Sequence, residues 1–167
     1  MRLTTPPSAA SWSHQGAQVG CEIVYFVDLS AGYRLTGHTA ATGSAALWAV
    51  GYDVVVDRSW RTVTVQASNL TTTGMKALTL VRDVDDRWTV NGEMRPDLDG
   101  CVDVPAAFVR ADDLRVERLE QRYTLIETAL ERLLFHYVSS TFDFACELQY
   151  DLAGLVVEYP GIATRET

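Results

Sequence analysis

Twenty-two carboxylates, three histidines and three cysteines are the groups of this chain able to move protons, attack carbonyls or hold a metal. Two Asp or Glu side chains in one cleft divide acid and base roles, which is hydrolase chemistry, yet no spacing selects a pair from the twenty-two. His14, His38 and His136 form no His-x-x-x-His and have no Cys or Asp at ligand spacing, so no metal site is expected. Cys21, Cys101 and Cys146 are far apart with no Cys-x-x-Cys, and are expected to be unpaired thiols. There is no Gly-x-Ser-x-Gly, phosphate-loop glycine run or dinucleotide fingerprint, and no cofactor is expected.

Binding chemistry is better supplied. Trp12, Trp48, Trp60, Trp88, Tyr52 and Tyr123 each join a large apolar face to a polar tip, which suits a surface that grips both a hydrocarbon chain and a sugar ring. Arg58, Arg61 and Arg110 interrupt apolar strands, as a guanidinium aimed at a head-group phosphate or carboxylate does. The ordinary alternatives are a sheet core for the aromatics and ion pairs with Asp53, Asp57 or Glu22 for the arginines.

These residues need elements to hold them. A chain of 167 residues with 47% hydrophobic and 22% charged residues is long enough to bury a core as one domain. Residues 1–11, with two prolines and small polar residues, read as a flexible lead-in to a domain over 12–167. Fourteen basic against twenty-two acidic residues leave a net charge of −8, which repels nucleic acid and anionic membranes. The N-terminus lacks the apolar core of a signal peptide and no run reaches the ~18–20 residues of a membrane span, so a cytoplasmic protein without integral membrane contact is expected.

Period-two alternation predicts strands over residues 22–28, 33–39, 49–57, 62–67, 77–82 and 87–91. Residues 49–57 and 62–67 should pair, with Trp60 and Arg61 at the turn. Asn91-Gly92 and Asp99-Gly100 mark turns, and residues 40–46 read as a small-residue loop. Residues 118–138 favour an amphipathic helix by spacing, because Leu119, Tyr123, Ile126, Leu130, Leu133, Leu134 and Tyr137 recur at helical intervals. Many short strands at near-regular spacing argue for a mainly β fold, a long antiparallel sheet curled into a half-barrel or flattened barrel with little helix.

Several motifs sit at matching places along most of the chain: Trp12-Ser-His with Gly20-Cys-Glu22, Tyr33-x-Leu-x-Gly37, Gly51-Tyr52 with Asp57-x-x-Trp60-Arg61, Asp86-Arg-Trp88-x-x-x-Gly92-Glu, and Gly100-Cys-Val-Asp103. Ala106-Ala-Phe-Val-Arg110, Gln121-x-Tyr-Thr124 and the closing Tyr150-Asp-Leu-Ala-Gly to Tyr-Pro-Gly161 complete the set. Together they resemble the "putative glycolipid-binding" family of bacterial proteins. One family segment, rich in Asn and Arg, is missing where Val104-Pro105 joins two motifs directly. The resemblance implies strand for residues 114–124, leaving residues 125–138 open between helix and strand, with a short helical turn at 128–132 as one alternative. It further implies a sheet like that of lipoprotein carriers, whose concave apolar face holds acyl chains.

The resulting expectation is a non-enzymatic protein that binds a glycolipid or fatty-acyl amphiphile through Glu22, Tyr52, Trp60, Arg61, Trp88, Asp103, Arg110, Gln121 and Tyr123, of which Tyr52, Trp60, Trp88 and Tyr123 should line one concave face. Two alternatives are a carboxylate-pair hydrolase of a small glycosylated or acylated substrate, and a protein-interaction module that accepts a peptide or a second copy of the chain at an open sheet edge.

Overall fold

Alternating β-branched and polar residues favour the pleated, half-buried surface of a sheet. In the computed structural model, which describes residues 3–16, 18–43, 47–102 and 104–166, that pattern yields strands almost throughout, with one turn of 3-10 helix at Pro96–Leu98. The strands are β1 (Ala9–His14), β2 (Gln18–Leu29), β3 (Gly32–Gly43), β4 (Leu47–Asp57), β5 (Thr62–Thr71), β6 (Gly74–Arg82), β7 (Trp88–Val90), β8 (Glu93–Met94), β9 (Ala106–Val109) and β10 (Val116–Leu119). They continue as β11 (Gln121–Thr128), β12 (Leu133–Ser139), β13 (Phe144–Tyr150), β14 (Val156–Tyr159) and β15 (Ala163–Arg165).

Thirteen strands form one sheet in the order β11-β12-β13-β14-β15-β1-β2-β3-β4-β5-β6-β7-β8, and β9 and β10 form a separate ribbon. Every pairing is antiparallel; among the described residues β8 and β11 are free edges, so the sheet curls without closing into a barrel. The expected pairing of residues 49–57 with 62–67 is present, in register from Trp48↔Thr71 to Val55↔Thr64 and then shifted by one residue to Val56↔Thr62. Asp57 organises the turn between them: its carboxylate accepts the N–H of Ser59 at 2.8 Å and of Arg61 at 3.0 Å, and this places Trp60 at φ 65. Among the described residues no helix is long and apolar enough to cross a membrane.

Four expectations need correction. No helix forms in residues 118–138, where β10, β11 and β12 follow one another. A bulge between Leu125 and Glu127 inserts Ile126 as an extra residue, and this one-residue shift converts strand alternation into apparent helical spacing. Residues 129–132 make an open turn closed by Ala129 N–H to the Arg132 carbonyl at 3.0 Å, with Leu130 exposed, and not a helical turn. The small residues after Thr39 continue β3 to Gly43, because they lie against Gly20 of β2 where a side chain would collide with the Ala40 and Ala41 backbone; residues 44–46 lie outside the described set. At the N-terminus β1 begins at Ala9, inside the segment expected to be a lead-in, because it fills the place between β2 and β15 in the sheet.

Two groups of side chains cover the sheet's inner face. The β9–β10 ribbon and the 3-10 turn bring Leu98, Cys101, Leu114 and Val116 onto Val50, Ala67, Leu78, Leu80 and Trp88. The turn at 151–155 sets Ala153 and Leu155 on Val24 and Phe26. Asp151 holds that turn by accepting the Ala153 and Leu155 N–H groups, both at 2.9 Å, and by pairing with Arg165.

Candidate functional site

Residues opposite each other in a sheet share a face, so the register of β1 to β5 fixes what the inner face presents. One row reads Trp12–Glu22–Thr39–Val50–Asn69, the next Ala10–Val24–Gly37–Tyr52–Ala67, and on the other side lies His14–Gly20–Ala41–Trp48–Thr71. Large side chains thus alternate with Gly20, Gly37 and Ala41. These gaps let rings lean across: Tyr52 covers Gly37 and donates its hydroxyl to the Glu22 carboxylate, and the His14 and Trp48 rings stand 6.2 Å apart across two intervening strands. Backbones three strands apart are separated by about 14 Å, so that ring contact reports both the small residues and the bend of the sheet.

The cluster has polar groups to offer. Thr39 Oγ1 lies 3.4 Å from His14 Nε2, and His14 Nδ1 is buried without a hydrogen-bond partner among the described residues. Trp12 donates Nε1–H to the Val156 carbonyl at 2.8 Å, which fixes its ring beside Glu22. The three rows carry one carboxylate, Glu22, whereas carboxylate-pair hydrolysis needs two in one cleft.

A cavity of about 260 Å³, lined by both polar and apolar atoms, opens one row further along, between the sheet and the ribbon, walled by Trp60, Thr62, Val65, Leu80, Trp88 and Val109. Val65 is two residues along β5 from Ala67, the partner of Tyr52, so the cavity starts roughly 7 Å from the polar cluster. Tyr52 itself packs against both groups that cover the inner face.

The family described as "Putative glycolipid-binding" matches this sequence over residues 9–105 and 102–165. The chain belongs to this family. The two matched stretches overlap at residues 102–105. Among curated proteins there is no match. A crystal structure of a DUF1089 family protein from Pseudomonas aeruginosa aligns with a TM-score of 0.67 over 97% of this chain and 94% of that one, at 19% identity, and so shares its fold.

Within this family member the expected site residues fall in separate places. Glu22 and Tyr52 meet in the polar cluster. Trp60 and Trp88 wall the cavity: Trp60 stacks on Tyr33 at 5.2 Å and meets Phe26 edge-on at 6.5 Å, while Trp88, 2% exposed, donates Nε1–H to the Cys101 carbonyl at 3.1 Å. Arg61 belongs to the Asp57 turn. Arg110 is ion-paired with Glu117 at 2.8 Å and lies over Phe142. Gln121 and Tyr123 sit on the distant β11 wing, where Gln121 accepts the hydroxyls of Tyr137 at 3.3 Å and Tyr123 at 3.4 Å. That wing is an aromatic cluster of Tyr123, Phe135, Tyr137, Phe144, Tyr150 and Tyr159, with neighbouring ring centroids 5.0–6.4 Å apart. Of the four residues expected on one concave face, Tyr123 lies eight places from β4 in the strand order, away from Tyr52. Asp103 lies outside the described residues.

Nothing in the sequence placed His14 beside Thr39, since their meeting arises only from register across strands. Among the described residues no group of three or more His, Cys, Asp or Glu is placed to hold a metal ion. The cysteines are free thiols, Cys21 exposed and Cys101 buried.

Burial first, then the Glu22 charge, pushes the Tyr52 phenol well above its usual 10.0, and burial does the same to Tyr123 and Tyr159. In the unfolded chain these phenols ionise near pH 10 while the folded ones stay neutral, so the folded state holds more protons above that pH. Stability is expected to be level below pH 10 and to fall as pH rises beyond it. Urea midpoints measured at pH 8 and pH 11 check this, and equal midpoints contradict it.

Proposed function

We propose that this protein binds a glycolipid-like amphiphile on the inner face of its sheet, with the polar head at Glu22 and Tyr52 and the apolar tail in the cavity beneath Trp60 and Trp88. The observation that carries the reading is Tyr52, hydrogen-bonded to Glu22 at one end and packed against the apolar side chains that lead to the cavity. A carboxylate and aromatic rings on one side, with a hollow walled by Trp60, Val65, Leu80 and Trp88 on the other, match a molecule that is polar at one end only. The cavity lies just under the ~300 Å³ lower bound of typical small-molecule sites, so it suits a short or partly inserted chain. An eight-carbon tail contributes on the order of 6 kcal/mol of transfer free energy before ordering costs.

All four tryptophans report on the inner face, so titration with octyl β-glucoside below its micellar concentration should give a saturable change in tryptophan emission. Trp60→Ala should weaken binding at least tenfold in protein that is still folded by circular dichroism. An emission that is unchanged by octyl, decyl and dodecyl glycosides would rule the reading out.

A further inference from the structure

Resting on the amphiphile reading, we infer that the Glu22–Tyr52 subsite selects a neutral, hydroxyl-rich head group and rejects one that carries a phosphate. Glu22 is a carboxylate, an acceptor with no proton to give, and Tyr52 already donates to it. The groups in the same and the adjacent row are the Thr39 hydroxyl, the His14 ring and the indoles of Trp12 and Trp48. A sugar hydroxyl donates to Glu22 and accepts in return from a neighbouring hydroxyl, and sugar C–H faces lie well on indole. A phosphate has only acceptor oxygens and negative charge to bring against Glu22, in a molecule of net charge −8.

A guanidinium clamp on a phosphate would need an uncommitted arginine, and the arginines around the inner face are committed. Arg165, the row neighbour of Trp12, pairs with Asp151. Arg58 pairs with Asp28 at 2.7 Å and stacks over Tyr33, Arg82 is held by Asp86 and Asp57, and Arg110 by Glu117. Arg61 is engaged as well. Drawing any of them onto a ligand phosphate would strand its present acid partner, a cost that a neutral head group does not incur.

Three probes with the same eight-carbon tail test this: octyl β-glucoside, octyl phosphate and octyltrimethylammonium, each titrated calorimetrically into the parent, Glu22→Gln and Tyr52→Phe proteins. The expected result is that the parent binds the glucoside at least tenfold more tightly than the phosphate, and more tightly than the ammonium, whose methyl groups give Glu22 no hydrogen-bond donor. Glu22→Gln and Tyr52→Phe should each lose about tenfold or more for the glucoside, and Glu22→Gln should bind octyl phosphate no worse than the parent does. Equal binding of all three probes, or tighter binding of either charged one, overturns the head-group inference and leaves the amphiphile reading standing. No binding of any probe overturns both. Since each substitution keeps the size of the side chain it replaces, a parent-like melting transition confirms that any loss comes from the subsite.

Discussion

Trp88→Ala is expected to cost about 3–5 kcal/mol of folding stability, the range for removing a fully buried large aromatic ring. Trp88 is 2% exposed and sits among Leu80, Leu98, Cys101 and Val116, where the ribbon closes over the sheet. Its indole N–H is the partner of the Cys101 carbonyl, so truncation also leaves a buried acceptor bare. Against a total of about 5–15 kcal/mol, this loss is roughly a fifth or more of the fold's stability. Trp88→Phe keeps most of the apolar contact and removes the N–H; it should cost about 1–3 kcal/mol. Urea denaturation of the three proteins measures both steps. If Trp88→Ala unfolds within 1 kcal/mol of the parent, Trp88 is an open groove wall and the ribbon does not seal the sheet. The alanine variant is also informative where it folds, because the cavity it enlarges should accept longer tails than the parent does.

That tryptophan shows what single strands reveal. Asp86-Arg-Trp88 and Asn91-Gly92 announce a strand and its turn, and the valines around Asp57 announce a hairpin, because alternation and turn chemistry are local properties. Trp88 as a ligand contact was legible only as an aromatic of suitable type, and burial under the ribbon decides its main role. Glu22 and Tyr52 were both singled out separately, thirty residues apart, yet the hydrogen bond that makes them a site depends on β3 passing between them with Gly37 at the crossing point. Nothing in the Gly37 neighbourhood of the sequence says which ring will cover it. The helix expected over residues 118–138 failed for a related reason: one bulged residue, Ile126, breaks period two, and periodicity read along one chain cannot see the partner strand that absorbs the bulge.

Gly37→Ala is the substitution that tests this crossing point most directly, and it is expected to abolish head-group binding while costing about 1–2 kcal/mol of stability. Gly37 is not among the glycines held at positive φ, so the difficulty is space and not backbone conformation. A Cβ there would fall 2.5 Å from Tyr52 Cζ and 2.6 Å from the Ile23 carbonyl oxygen. The tyrosine can swing away, which takes its hydroxyl off Glu22, but the carbonyl belongs to the paired strand and moves only if the sheet does. Overpacking of this kind costs about 1–3 kcal/mol, and replacing a strand glycine returns roughly 0.5–1 kcal/mol through the unfolded chain. Gly51→Ala serves as the comparison, since its Cβ would meet the His38 ring at 3.1 Å, a side chain on the exposed outer face that can rotate aside. That variant should stay within about 0.5 kcal/mol of the parent and keep its affinity for octyl β-glucoside. Parent-like stability and parent-like glucoside binding in Gly37→Ala would mean that Tyr52 is not fixed against Glu22 by the glycine beneath it. The polar cluster would then be a chance meeting of side chains on a curved sheet, with no subsite for a head group to occupy.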